Sequence, residues 1–432
     1  MTSENGGTGM FIWKKNRHSR NKDRHGGRHP AVIFSAVILS ALVTWGAVCS
    51  PAAQAADMTL QSGTIVCPSA GANTTLPPAL TGTSALSAIL IEASTGDAVF
   101  AQNAEARLPM ASTTKIMTAL VALESCPLDD TVTVPPEAVG VEGSSIYLTE
   151  GERLSFEDLL YALLLESAND AAVAIAVHAA GSVEDFVARM NEKALALGLE
   201  DTHFANPHGL DDDAHYTTAR ELSLIARAAM ENPDFRTITA TTKRVIPLQG
   251  DAGARLLINH NKMLWQYDGA IGGKTGFTKT SGRCLLSVAE RGGVTLIAVT
   301  LKAPDDWRDH TAMLDYGFSV YESATLCEAE AYNAPLSLQS GTQTYVTVTN
   351  KAAVTLPLRR DHGDIVCTVE LPHLAFAPVT AGQTVGRLVF TEISPDGGRR
   401  VLAETPLTAR YDVEATPRRR SLWTWLRELF GL

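Results

Sequence analysis

Runs of period two and runs of helical period alternate along this chain in blocks. In "ALSAILIEASTGDAVFAQNA" (85–104) two short apolar runs flank a polar quartet, which predicts a strand, a tight turn at Thr95-Gly96-Asp97 and a second strand. A helical block follows. "STTKIMTALVALES" sets Ile116, Met117, Leu120, Val121 and Leu123 at helical spacings, and "SFEDLLYALLLES" and "SVEDFVARMNEKALALG" each open with a Ser-x-x-Asp capping signal. "TARELSLIARAAM" adds a helix capped by Thr218 with Glu221. After about residue 240 strands return: "RVIPLQ", "ARLLINH", "AIGGKTGFT", then the long hairpin "RCLLSVAERGGVTLIAVTLKA" turning at Arg291-Gly292-Gly293, and a closing helix in "DDWRDHTAMLDYGFSVYES". Strands at both ends with helices between predict one α+β layer fold, its sheet joining the N-terminal hairpin to the late strands.

Residues 335–410 carry no helical period. "TYVTVTN", "DIVCTVEL", "TVGRLVF" and "RRVLAETPL" are short strands between Gly, Asp and Pro turns, and predict a separate small all-β domain over 329–414. The chain ends in "PRRRSLWTWLRELFGL", where Leu422, Trp425, Leu426, Leu429 and Phe430 share one helical face below three arginines. Residues 415–432 are therefore expected to form an amphipathic helix lying on a membrane surface, arginines against anionic lipid, with docking on its own domain as the alternative.

At the other end, seven basic residues against two acidic ones precede the uncharged run "AVIFSAVILSALVTWGAVCS" (31–50), and Ala53-Gln54-Ala55 supplies an A-x-A cleavage pattern. Residues 1–55 predict a signal peptide cut after Ala55; a retained anchor is the competing reading, since the apolar run is just long enough to span. Cys49 lacks the leucine that a lipoprotein signal places before it. Residues 56–84, rich in Gly, Ser, Thr, Ala and Pro, read as a linker, which leaves 85–328 as the predicted catalytic domain.

Composition agrees with a folded, exported chain. The 432 residues are 45% hydrophobic and 19% charged, with a net charge of −11. Removing a +5 leader leaves the remainder at −16, which argues against nucleic acid as a partner. Five cysteines remain, Cys67, Cys126, Cys284, Cys327 and Cys367, odd in number and widely spaced, so neither a disulfide framework nor a zinc signature is present.

The candidate chemistry begins with Ser112 and Lys115. A serine hydroxyl needs a base to become a nucleophile, and residues three apart share a helical face. Lysine serves as that base only when neutral, which desolvation or a second cation can bring about. Alone, S-x-x-K is a weak pattern; an exposed Ser and Lys on a helix is the ordinary case. Two further motifs follow it: Ser167-Ala168-Asn169 between apolar helices, and Lys274-Thr275-Gly276 in a strand.

S-x-x-K, S-x-N and K-T-G in this order resemble the signature set of the serine penicillin-recognising enzymes. Residues 85 to about 322 resemble the low-molecular-mass penicillin-binding proteins, the D-alanyl-D-alanine carboxypeptidases of serine peptidase family S11, through "EASTGDAVFAQNAEARLPMASTTKIMTALVALE", "LLLESANDAAVAIA", "FANPHGLDDDAHYTTARELS", "NHNKMLW" and "GGKTGFTKTSGRCLLSVAERGG". The resemblance implies a penicillin-binding/β-lactamase-like transpeptidase fold, an antiparallel sheet with a helical block. It implies an extracytoplasmic enzyme, attached to the cytoplasmic membrane, that removes the terminal D-alanine of peptidoglycan pentapeptide stems, with β-lactams as inhibitors and no cofactor. It further implies Ser112 as nucleophile, Lys115 as its base, Ser167 as proton relay and Asn169 as orienting group. Lys274 keeps the site positive, Thr275 bonds the substrate carboxylate, and the backbone N–H groups of Ser112 and Phe277 form the oxyanion hole. Gly276 leaves room for a substrate backbone at the strand edge, with Gly272 and Gly273 serving the same approach.

Arg308 is expected to reach the substrate carboxylate, against the simpler reading of a surface residue among Asp305, Asp306 and Asp309. The stretch "HFANPHGLDDDAHY" (203–216) holds three histidines and three aspartates but no metal-ligand spacing, and is expected to be a loop without metal. A class A β-lactamase is the first alternative, although the E-x-x-L-N pattern that it needs is missing between Asn169 and Lys274. A catalytically slow penicilloyl sensor or wall-binding module is the second.

Overall fold

The structure, a computed structural model, describes residues 64–66, 76–248, 253–394, 396–417 and 431. The expected leader over 1–55 and most of the expected terminal helix lie outside them.

A short strand, β1 (Thr64–Val66), precedes the hairpin β2 (Ser87–Glu92) and β3 (Ala98–Gln102). Buried Glu92 closes the hairpin turn, accepting from the backbone N–H groups of Ser94 and Thr95 and from both hydroxyls. Helix α1 (Lys115–Leu123) leads through β4 (Thr131–Thr133) and β5 (Arg153–Ser155) to α2 (Phe156–Leu165), α3 (Asn169–Ala180), α4 (Val183–Ala196), α5 (Ala219–Met230) and α6 (Pro233–Ala240). The capping signals act as written: Ser155, Ser182 and Thr218 accept from the backbone N–H of Asp158, Asp185 and Glu221. A separate hairpin of β6 (Lys243–Pro247) and β7 (Ala254–Ile258) and a single turn, α7 (Met263–Gln266), follow. Then come β8 (Ala270–Thr278), β9 (Gly282–Arg291), β10 (Val294–Leu301) and α8 (Asp306–Val320).

The central sheet is antiparallel with order β3-β2-β10-β9-β8, so the N-terminal hairpin does join the late strands. Alternation splits each strand between two cores. Ile89, Ile91, Leu286, Val288, Ile297 and Val299 pack under the helical block, while Ala88, Leu90, Leu285, Leu296 and Ala298 pack against Met313 and Leu314 of α8. Both faces being covered, all six residues of β2 are buried. Strand β8 is the outermost, with its free edge toward the cleft described below.

Two expected boundaries shift. Helix α8 stops at Val320, and β11 (Tyr321–Cys327) already pairs with β14 (Val354–Arg359), so the β region starts at 321 rather than 329. It continues through β12 (Asn333–Gln339), β13 (Tyr345–Asn350), β15 (Asp364–Glu370), β16 (Ala375–Phe376), β17 (Thr384–Ile393) and β18 (Arg399–Ala409), with two small cores of its own. At its far end Ala415 bridges Gly341 and Thr416 donates to Ser340, so strand-like pairing passes the expected limit of 414. The expected linker is also structured in parts. Residues 64–66 pair with β15, Leu76 and Leu80 pack on the core beside α8, and Ser84 donates from N and Oγ to Asp309. Three residues are too few to display a period, and isolated leucines in a Pro-rich run leave no pattern to read.

Candidate active site

The site is assembled where the turn before α1 meets the free edge of β8. Residues Ala111–Thr114 form a 3₁₀ turn that runs into α1 at Lys115. In a 3₁₀ turn side chains three apart eclipse, and Lys115 Nζ lies 2.9 Å from Ser112 Oγ. Thr114 Oγ1 donates to Ala111 O and meets His215 Nε2 at 2.7 Å, which ties the turn to the 203–216 loop. At Gly209, with φ +91°, a Cβ would stand 2.0 Å from Ala111 O, so the loop backbone lies directly on the turn.

Lys115 is fully buried and surrounded by oxygen: Ser112 Oγ, Asn169 Oδ1 at 2.7 Å and His208 O at 2.5 Å. Burial holds its pKa well below that of a free lysine, the positive charge of Lys274 adds to the depression, and Asp170 opposes it. Lys274, also buried, donates to Ser167 Oγ at 3.0 Å and to Thr275 O at 2.8 Å, and burial pushes it down to about 7. Ser167 itself has φ +59°, a left-handed conformation in a non-glycine residue between α2 and α3.

Asn169, the first residue of α3, does more than face Lys115. Its Nδ2 donates to Glu142 O and its backbone N–H to Ser144 O, so it also carries the 140s loop that forms one wall. Its neighbour Asp170 anchors the rest of that loop, accepting from Ser145 Oγ, Ile146 N and Leu148 N. Asp170 was not singled out in the sequence. An acidic residue in the first turn of a helix reads as ordinary dipole compensation, and its partners lie more than 20 residues away.

The glycines of β8 lie close to other parts of the fold. A Cβ at Gly276 would come 3.0 Å from Ser112 N and 3.2 Å from Met110 O, so the strand packs closely against the Ser112 turn there. Gly272 and Gly273 are crowded by Thr239 and by the backbone of β9, within the fold rather than at the substrate edge.

A cleft of about 320 Å³ opens over these groups, lined by Ser112, Ser167, Thr275, Gly276 and Phe277 and, from residues not foreseen, by Ser144, His260, Arg283, Cys284, Asp306 and Trp307. Phe277 is exposed at its edge. Arg308 does not line the cleft. It is the third residue of α8 and faces solvent, whereas Asp306 and Trp307 turn inward. The structure thus places Arg308 as the surface residue of the simpler reading: one helical position decides whether a side chain meets the cleft or water, and composition alone does not set that phase.

The histidines of 203–216 are separated by their hydrogen bonds. His203 faces Ala214 O, His208 accepts from Leu210 N, and His215 lies between Ala205 N and Thr114 Oγ1. Among the described residues, possible metal ligands come together at Cys126, Asp130 and His178. Burial and Asp130 raise the Cys126 thiol pKa, and the Arg189 cation opposes that rise.

A sequence model of the D-alanyl-D-alanine carboxypeptidases, peptidase S11, matches residues 72–305. The carboxypeptidase DacF of Bacillus subtilis is 33% identical over 340 residues, covering 76% of this chain and 86% of that protein. DacA of Escherichia coli is 30% identical over 83% of this chain and 89% of its own length. Among solved structures, penicillin binding protein 5 from Haemophilus influenzae is similar with a TM-score of 0.59 and 27% identity, over 79% of this chain and 100% of that one. With this geometry and these relatives, the chain belongs to the D-alanyl-D-alanine carboxypeptidases of peptidase family S11, the penicillin-binding serine peptidases.

Proposed function

We propose that Ser112 is the acylated nucleophile of this D-alanyl-D-alanine carboxypeptidase and that Lys115, in its neutral form, takes the Ser112 proton. The observation that carries this reading is the 2.9 Å approach of Lys115 Nζ to Ser112 Oγ inside a fully buried environment. A buried amine gives up its proton more readily, so Lys115 is available as a base at a lower pH than a free lysine.

The penultimate D-alanine carbonyl of a peptidoglycan stem lies over Ser112, its oxygen toward the backbone N–H groups of Ser112 and Phe277. Attack forms the Oγ–C bond, and the proton passes by Lys115 and Ser167 to the departing amine of the terminal D-alanine. Lys274 sits behind Ser167 and supplies positive charge, Asn169 fixes Lys115, and Thr275 bonds the substrate carboxylate. Water then cleaves the acyl-enzyme. β-Lactams enter the same cleft and acylate the same hydroxyl.

Residues 1–55 as a cleaved leader and 417–432 as an interfacial anchor complete the proposal, placing the enzyme on the outer side of the cytoplasmic membrane. Among the described residues no single helix is long and apolar enough to cross a membrane. The function is tested with a labelled penicillin and a peptide ending Lys-D-Ala-D-Ala. A long-lived adduct that disappears in Ser112→Ala, together with D-alanine release, is expected; labelling that survives Ser112→Ala rules the mechanism out.

A further inference from the structure

We infer that Arg283, not Arg308, supplies the guanidinium that recognises the free C-terminal carboxylate of the substrate, and that Asp306 and Trp307 hold it in place for that task. The inference rests on the function proposed above and names a specificity residue for it. Among the described residues that line the cleft, Arg283 is the arginine; Lys115 and Lys274 are buried and do not line it.

Three features place Arg283 for this role. In the β8–β9 register it stands opposite Phe277, with Cys284 opposite Gly276, so its backbone is level with the residue that follows the Lys-Thr-Gly stretch. Its guanidinium is fixed: one N–H donates to Asp306 Oδ1 at 2.6 Å, and Cζ lies 5.8 Å from the centre of the Trp307 ring. Asp306 is itself held by the Trp307 backbone N–H and is almost entirely buried, while the Arg283 side chain keeps 43% of its surface open. A guanidinium has five N–H donors in a planar fork, so a carboxylate anchor on one side leaves donors for a second carboxylate.

Asp306 also tempers the cation. A single negative neighbour lowers the attraction for any anion and leaves the planar two-point match as the main source of selectivity. This favours a carboxylate at a fixed distance from Ser112 over a diffuse negative charge, which suits a peptidase that acts only at a chain end.

The test compares Nα-acetyl-Lys-D-Ala-D-Ala with its C-terminal amide, following release of D-alanine or D-alaninamide by the full chain. Arg283→Ala is expected to lower kcat/KM for the acid on the order of 10–100-fold, the range for loss of a charge-assisted hydrogen bond, and to change the amide less than about twofold if only carboxylate recognition is lost. Arg283→Lys should recover part of the acid preference, Asp306→Asn should retain most of it, and Arg308→Ala should leave both substrates unchanged. If Arg283→Ala and Asp306→Asn instead slow both substrates equally and lower Tm together, the pair is structural and the inference fails. It fails as well if Arg308→Ala abolishes the acid preference. Release of nothing from either peptide by the wild type overturns the proposed function, and this inference with it.

Discussion

Lys274 Nζ lies 3.0 Å from Ser167 Oγ, and its charge is one of the causes that lower the pKa of Lys115. The Lys274 charge therefore adds to burial in disfavouring protonation of Lys115. Burial pushes Lys274 down to about 7, so its own charge is lost in the physiological range.

This coupling predicts the pH profile of penicillin acylation. Activity rises as Lys115 becomes neutral and falls as Lys274 loses its proton near pH 7, giving a bell. In Lys274→Met the cation that depresses Lys115 is gone, so the Lys115 pKa rises and the acid limb moves to higher pH, while the alkaline limb disappears. Stopped-flow acylation across a pH range that passes the Lys274 limb near 7 on both sides would show it. An acid limb that stays put would disconnect the two lysines.

The same burial predicts a stability effect. Lys115 has a folded pKa below its unfolded one, so below the unfolded value the denatured chain binds more protons, and stability rises with pH between the two values. Lys115→Met removes that slope. Its chemical denaturation should depend less on pH than the wild type's, with the gain relative to wild type largest at acid pH. Acylation should fall about 10²–10⁴-fold, the range a general base typically contributes.

Asp170 predicts a loop effect independent of the lysines. Asp170→Asn leaves backbone N–H groups of Ile146 and Leu148 with a weaker acceptor and puts an amide donor beside them. Loss of a buried charged acceptor costs about 1–3 kcal/mol, so urea unfolding should shift by that amount. Hydrogen exchange should rise at residues 145–148 before it rises in the central sheet.

The reach of the sequence follows from how local each signal is. Ser112 with Lys115, Ser167 with Asn169, and Lys274 with Gly276 each lie within one turn or one strand, so the motif itself fixes their spacing. Capping at Ser155, Ser182 and Thr218 is local for the same reason. Arg283 reaches the cleft through the β8–β9 register, Asp306 through the phase of α8, and His260 from the segment after β7, its backbone N–H donating to Leu165 O. The linker strand Thr64–Val66 and the 3₁₀ turn at Ser112 are invisible for a different reason. One is shorter than any period, and the other differs from an α-helix in winding rather than in composition.

Gly209 and the buried histidines make a last prediction. At Gly209→Ala the new Cβ meets Ala111 O at 2.0 Å and the residue must keep φ +91°, so the loop must leave the Ser112 turn; overpacking of this kind costs about 1–3 kcal/mol or more. The loop also carries His208 and His215, which burial lowers to about 3 and about 4 from 6.5. Both stay neutral in the folded chain while the unfolded chain protonates them, so they contribute no penalty above pH 6.5 and a growing one as pH falls toward 4. Acid should therefore loosen this loop first. Because His215 Nε2 meets Thr114 Oγ1 and His208 O accepts from Lys115, acylation should be lost before the far-ultraviolet circular dichroism changes. His215→Gln, which cannot titrate, should move that loss to lower pH; simultaneous loss of activity and secondary structure in both proteins would show that the loop does not open on its own.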